Sequence, residues 1–305
     1  MIKSKLKNRN LSQEDVFNFS ELFKLMKPRV MSLVIFTCAV GLLMAPNIIP
    51  TKDAIIGIIL VSIGAGAAGA LNMWYESDLD ALMSRTCLRP IPTGKVKKDQ
   101  ALWFGLLLSL VSIAILYNSS NALSALLLAI TIGFYFFIYT IWLKPRTSQN
   151  IVIGGAAGAL PPVIGWAVAT NTISIEPLIL FLIIFIWTPS HFWALSLYKS
   201  GDYKRAKIPM LPVTDGVEKT KINILVYSLL LLPSVVSLYF FENYSVQFLF
   251  ISIALTFYYI YLSYKLLRSL NNKTSNIIAR KIFVYSIFYL FIIFVLILGD
   301  SFWRI

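Results

Sequence analysis

Nine stretches of mostly apolar residues recur along this chain, at 30–49, 54–75, 101–117, 122–142, 151–170, 177–197, 222–241, 245–264 and 282–300. As a helix, a stretch of about twenty such residues crosses ~30 Å of hydrocarbon. Without water in that medium, backbone polar groups must be satisfied inside each segment, so the pattern predicts an all-α fold. The expectation is a polytopic membrane helix bundle with nine transmembrane helices. Residues 1–29 are expected to form a cytoplasmic N-terminal tail and interfacial segment, and 30–305 a single transmembrane domain.

The chain carries 27 Lys and Arg against 14 Asp and Glu, a net charge of +13. Such an excess would suit nucleic acid, but its distribution excludes that reading. With the N-terminus inside, 25 of the 27 cations fall on inside segments and only Lys52 and Arg304 lie outside, the bias by which positive charge sets topology. The first twenty residues mix Lys3, Lys5, Lys7 and Arg9 with Glu14 and Asp15 and contain no apolar core. They do not read as a signal peptide, and their acids disfavour a mitochondrial transit peptide, so a bacterial inner membrane is expected. Cys38 and Cys87 offer no disulfide framework or CxxC metal site. The sole histidine, His191, excludes a multi-histidine centre.

One segment is anomalous for a membrane protein. Glu76, Asp78 and Asp80 crowd the end of the second span, just ahead of Arg85, Arg89 and Lys95. Charge is costly there, which favours a site that needs it. On a continuing helix Asn72, Glu76 and Asp80 fall at i, i+4 and i+8 and share one face, whereas Asp78 points elsewhere. Amide and carboxylate oxygens suit Mg²⁺, which usually arrives bound to phosphate; the lack of sulfur and imidazole argues against zinc. Arg85, Arg89 and Lys95 are the matching cations for a diphosphate. Lys97 and Lys98 read as interfacial charge. The glycine and alanine runs at 64–70 and 154–159 read as close helix packing.

The pattern Asn72-x3-Glu76-x3-Asp80 followed by Arg85-Thr-x-x-Arg-Pro-x-Pro-x-Gly resembles the first signature of the UbiA-type intramembrane prenyltransferases. Within it, Met73-Trp-Tyr-Glu76, the string His191-Phe-Trp-Ala-Leu, Asp202-Tyr and Ile208-Pro-Met-Leu-Pro-Val213 resemble the heme-farnesylating branch. The resemblance covers nearly the whole chain. It implies Mg²⁺ as cofactor, farnesyl diphosphate and heme b as substrates, and catalysis at the cytoplasmic face. It further implies Asn72, Glu76, Asp80 and Asp202 as metal and catalytic residues, and Arg85, Arg89, Lys95 and Lys199 as diphosphate ligands. His191, Trp193 and Tyr198 would contact heme, and membrane partners in heme metabolism or oxidase assembly fit that role. Met73 and Glu76 stand where the broader family usually has Asp, and Tyr198 where its second signature has one. Lys199, Lys204 or Lys207 is then expected to neutralise phosphate in place of a second cation, with Asp215 as a substitute ligand.

Two other readings use the same residues. A secondary transporter also combines apolar helices, small-residue packing and buried polar groups, but tends to hold its coupling groups mid-membrane. A prenyltransferase with an aromatic quinone precursor as acceptor differs only at the His191 string. Lys144-Pro145-Arg146 reads as topological charge first and as a diphosphate contact second. Both polar segments, 76–100 and 198–221, follow even-numbered spans, which places them on one membrane face.

Overall fold

The computed structural model describes residues 19–242 and 244–303. The expected tail up to residue 18 and the outside cation Arg304 lie outside the described residues. The fold is all-helical. Among the described residues eight helices are long and apolar enough to span a bilayer, and a ninth span forms if the bent pair α1 (Phe19–Leu25) and α2 (Pro28–Leu43) counts as one. The bend is 59°. It is made at Lys27, whose φ of 55° is a left-handed conformation uncommon for a non-glycine residue, and Pro28 then opens α2 with its φ already set for a helix.

The helices α3 (Thr51–Tyr75), α5 (Lys98–Ser119), α9 (Ile175–Tyr198), α12 (Val217–Glu242), α13 (Val246–Leu267) and α14 (Asn272–Trp303) each correspond to one apolar stretch of the sequence. Two further spans are composite. α6 (Ala122–Gly133) runs straight into a π-helical segment, Phe134–Leu143, and α7 (Asn150–Ala159) breaks at Leu160 before Pro161 starts α8 (Pro161–Thr170). Short helices α4 (Ser77–Leu82), α10 (Ser200–Arg205) and α11 (Leu211–Thr214) lie in the two long polar segments.

The first span corrects the sequence reading. It was expected over 30–49, yet α2 ends at Leu43, because Pro46 cannot donate into a helix and steers its predecessor away from helical geometry. Several other helices outlast their apolar stretches, α14 most of all, since polar terminal turns extend them beyond the hydrocarbon length.

Two apolar cores hold the bundle. One is built around α3, from Cys38, Leu60, Val61, Leu71, Leu128 and Ile164 among others. The second is built around α9, where Leu180, Ile183 and Trp193 pack on residues of α12, α13 and α14. The small-residue runs act as the sequence predicts. A Cβ on Gly66 would come within 2.6 Å of the Met26 side chain, which presses α1 against α3. Gly165 in α8 admits the α2 backbone so closely that a Cβ there would stand 2.0 Å from the Cys38 carbonyl oxygen. α3, the π segment and α9 all end on the side that carries α4, α10 and α11, and the polar side chains collect there.

Candidate active site

The helical pattern of α3 survives its own end. Glu76 leaves the helical region (φ −90°, ψ 7°), but its N–H still donates to the Asn72 carbonyl at 2.9 Å and its carbonyl accepts from the Asp80 N–H at 2.8 Å. Asn72, Glu76 and Asp80 are therefore all buried, at 2%, 4% and 3% exposure. Asp78 faces outward and pairs with Lys98 at 2.9 Å, as its position on the helix requires.

Each buried oxygen set meets a cation from a different part of the chain. Lys27 Nζ donates to Asn72 Oδ1 at 2.6 Å, and the Asn72 amide donates to Thr140 Oγ1 at 3.1 Å. Lys144 Nζ stands 2.5 Å from Glu76 Oε1 and donates to Oε2 at 2.6 Å. Arg89 Nη1 donates to both Asp80 oxygens, at 2.9 and 2.7 Å. Thr140 and Lys144 are themselves four residues apart, so the π-helical segment runs beside α3 as the opposing rail of a polar ladder. Its wider turn is visible in Thr140 Oγ1 donating to the Tyr135 carbonyl and in the Lys144 N–H donating to the Tyr139 carbonyl, both five residues back. Such π turns are frequent at functional sites.

The second polar segment joins the first. Ser84 Oγ donates to Asp202 Oδ2 at 2.7 Å, Arg205 pairs with the other Asp202 oxygen, and Asp202 is buried. Around this link, Met83 from the first segment packs with Ile151, Tyr203, Ala206, Ile208 and Met210, an apolar cap at the polar end. Gly94, at φ +72°, makes the left-handed turn that returns the first segment to α5.

The remaining cations expected at the site are dispersed. Arg85 is exposed and Lys199 half-buried, and neither side chain makes an ion pair or hydrogen bond among the described residues. Lys95 pairs with Glu21 of α1 at 3.0 Å. Asp215 is bound by Lys219 at 2.5 Å on the solvent side, and that hydrogen bond holds its carboxyl below the usual range.

A second constellation surrounds His191. Its Nδ1 and Ser286 Oγ are 2.6 Å apart, and its ring is sandwiched between Trp187 at 4.3 Å and Phe283 at 4.6 Å. Trp187 Nε1 donates to the Ser286 carbonyl at 2.8 Å, and Tyr198 meets Phe283 edge-on at 6.1 Å. His191 and Tyr198 are two helical turns apart on one face. Trp193, expected beside them, is turned the other way by its two-residue offset: it is 1% exposed and packs edge-on against Tyr227.

The sequence profile described as "UbiA prenyltransferase family" matches residues 34–297. This chain belongs to the UbiA prenyltransferase family. Protoheme IX farnesyltransferase of Pelagibacter ubique (strain HTCC1062) is 68% identical to it over 99% of both chains. The protein of that name from Ehrlichia ruminantium (strain Welgevonden) is 49% identical over 94% of this chain and 96% of its own. Among solved structures, digeranylgeranylglyceryl phosphate synthase superposes with a TM-score of 0.74 at 18% identity, covering 92% of this chain and 98% of that one. A UbiA homolog from Archaeoglobus fulgidus bound to DMAPP and Mg²⁺ gives 0.67 at 16%, covering 88% and 99%. The bundle is thus that of a UbiA prenyltransferase embedded in a membrane.

The donor set of this UbiA enzyme fits a hard divalent cation in its chemistry. Asn72, Glu76 and Asp80 bring one amide and two carboxylates, all buried on one face, and the oxygens of each already face positive charge from Lys27, Lys144 or Arg89. Among the described residues no three His, Cys, Asp or Glu side chains gather at metal-holding spacing, so an ion here would draw on the Asn72 amide and on phosphate oxygens as well. Sequence reasoning missed Lys27 and Thr140 outright and ranked Lys144 first as topological charge. Pro28 signals a helix start beside Lys27, but nothing local tells that its side chain turns inward.

Proposed function

We propose that this prenyltransferase moves a farnesyl group from farnesyl diphosphate to a vinyl group of protoheme IX, forming heme O. The observation that carries this reading is the near full-length likeness, at 68% identity, to a protein named protoheme IX farnesyltransferase. The His191 constellation supports a porphyrin acceptor, since histidine is the commonest axial partner of heme iron. Nδ1 is engaged by Ser286, which leaves Nε2 for the iron.

Asn72, Glu76, Asp80 and Asp202 would hold Mg²⁺, which when bound offsets charge on the departing diphosphate. Lys27, Arg89 and Lys144 supply positive charge to the same place. They would turn from these oxygens to the diphosphate when the ion binds, and offset charge as it develops there. Arg85 and Lys199 would add charge from outside this cluster, whereas Lys95 stays with Glu21. The allylic C–O bond breaks, and its electron pair leaves with the diphosphate. Vinyl π electrons then form the new C–C bond, and water adds to the resulting cation and loses a proton. The cap formed by Met83, Tyr203, Ile208 and Met210 keeps water from the allylic cation before that bond forms.

The distribution of the cations supports an inside N-terminus, a cytoplasmic polar end and a bacterial inner membrane. On this reading residues 30–305 act as one catalytic domain preceded by the interfacial segment 1–29.

Purified protein with radiolabelled farnesyl diphosphate, Mg²⁺ and either heme b or 4-hydroxybenzoate tests the assignment. Farnesylated heme is expected, and product from 4-hydroxybenzoate alone would overturn the acceptor. Near-normal turnover in both Asn72→Ala and Arg89→Ala, with folding verified, would remove the site assignment.

A further inference from the structure

Protoheme carries its vinyl groups on one part of its rim and two ionised propionates on another. An acceptor whose vinyl reacts inside the bundle must keep those carboxylates at the polar end of the membrane and meet a cation there. α14 carries Arg280, Phe283 and Ser286 at i, i+3 and i+6, so Phe283 is adjacent to both others, while Arg280 itself borders the open groove beside Ile277 and Val284. Ser286 bonds to His191, and Phe283 both stacks on His191 and touches Tyr198. Arg280 continues this line toward the polar end, six residues or about 9 Å of helix rise from Ser286.

Arg280 is exposed, and among the described residues its side chain has no ion pair or hydrogen bond. The cations facing the Asn72 stripe, by contrast, are all engaged. Its neighbour Lys281 borders the same open groove of α14 but is engaged, with Nζ 5.7 Å above the Tyr258 ring. A guanidinium also matches a carboxylate with two parallel hydrogen bonds, which an ammonium cannot.

We propose that Arg280 binds a propionate of the acceptor, so that the enzyme selects porphyrins bearing free carboxylates. This rests on the heme reading above and adds the recognition element for the acceptor's polar edge. The Trp187–His191–Phe283 stack sets the macrocycle's position, and Arg280 sets its rotation within the site, which decides which vinyl group reaches the farnesyl carbon.

The test compares protoheme IX with its dimethyl ester as acceptor, using wild type, Arg280→Ala, Arg280→Lys and Lys281→Ala in nanodiscs of neutral lipid and of lipid with anionic headgroups. Wild type is expected to favour the diacid. Arg280→Ala should raise the KM for protoheme about tenfold, the scale of one charge-assisted hydrogen bond, with the KM for farnesyl diphosphate unchanged and discrimination against the ester lost. Arg280→Lys should recover part of that discrimination, and Lys281→Ala should keep all of it. Undiminished ester discrimination in Arg280→Ala would overturn the proposal, as would a defect confined to nanodiscs with anionic lipid, which would make Arg280 a headgroup anchor. No farnesylated product from either porphyrin in wild type would remove the heme reading and this inference together, whereas product without Arg280-dependent discrimination removes this inference alone.

Discussion

Replacing Lys144 by methionine isolates the charge that holds Glu76 inside the bundle. The pair is asymmetric: the Glu76 side chain is 4% exposed and that of Lys144 19%. Methionine keeps most of the volume of the lysine stem, so packing is preserved and the loss is electrostatic. Breaking a buried ion pair from one side costs about 3–5 kcal/mol, because the other charge is left without compensation. Water reaching Lys144 at its exposed fraction places the expected loss near the lower end, about 3 kcal/mol. Glu76→Gln should cost less, about 1 kcal/mol, since the lysine head can move toward water. The double variant removes both charges and should lie within about 1 kcal/mol of wild type. Unfolding in detergent micelles, followed by tryptophan fluorescence, gives all four corners of the cycle, and a coupling of about 2 kcal/mol or more is expected. If Lys144→Met unfolds like wild type, or if the double variant is as unstable as Lys144→Met, the buried charge is not what the lysine compensates.

Three further outcomes follow from the geometry. Gly165→Ala puts a methyl 2.0 Å from the Cys38 carbonyl, so α2 and α8 must separate; a loss of about 1–3 kcal/mol is expected in the same unfolding assay. Heme titrated into His191→Ala should give a shifted Soret band and weaker binding, while Trp193→Phe, altered on the opposite face against Tyr227, should titrate like wild type; the reverse pattern would refute the placement of the acceptor. Chelating divalent ions should abolish transfer and leave helical circular dichroism unchanged, with activity restored by added Mg²⁺, since the stripe carboxylates have Lys144 and Arg89 to hold them without metal.

Much of this protein is legible one segment at a time. The all-helical fold follows from apolar length, and the common face of Asn72, Glu76 and Asp80 follows from a spacing of four. The outward aim of Asp78 follows from its two-residue offset. The same arithmetic separates Trp193 from His191, although their closeness in the sequence suggested one group. The early end of α2 was also present in the sequence, in Pro46, but hydropathy alone ran past it. Such features are local, because backbone hydrogen bonding inside a membrane forces each segment to satisfy itself.

What only the tertiary structure decided is which charges meet. Lys27 reaches Asn72 from 45 residues away, Lys144 reaches Glu76 from 68, and Ser84 reaches Asp202 from 118. Hydropathy and spacing treat a basic residue near a helix end alike whether it faces water or the bundle. The direction of the Lys27 side chain depends on a bend at its own backbone, and that of Lys144 on a π turn preceding it. By itself the sequence determined that oxygens and cations would gather at one membrane face; the packing of α1, α3 and the π segment chose the partners, since a buried charge is stable only where another element brings its counterpart within reach.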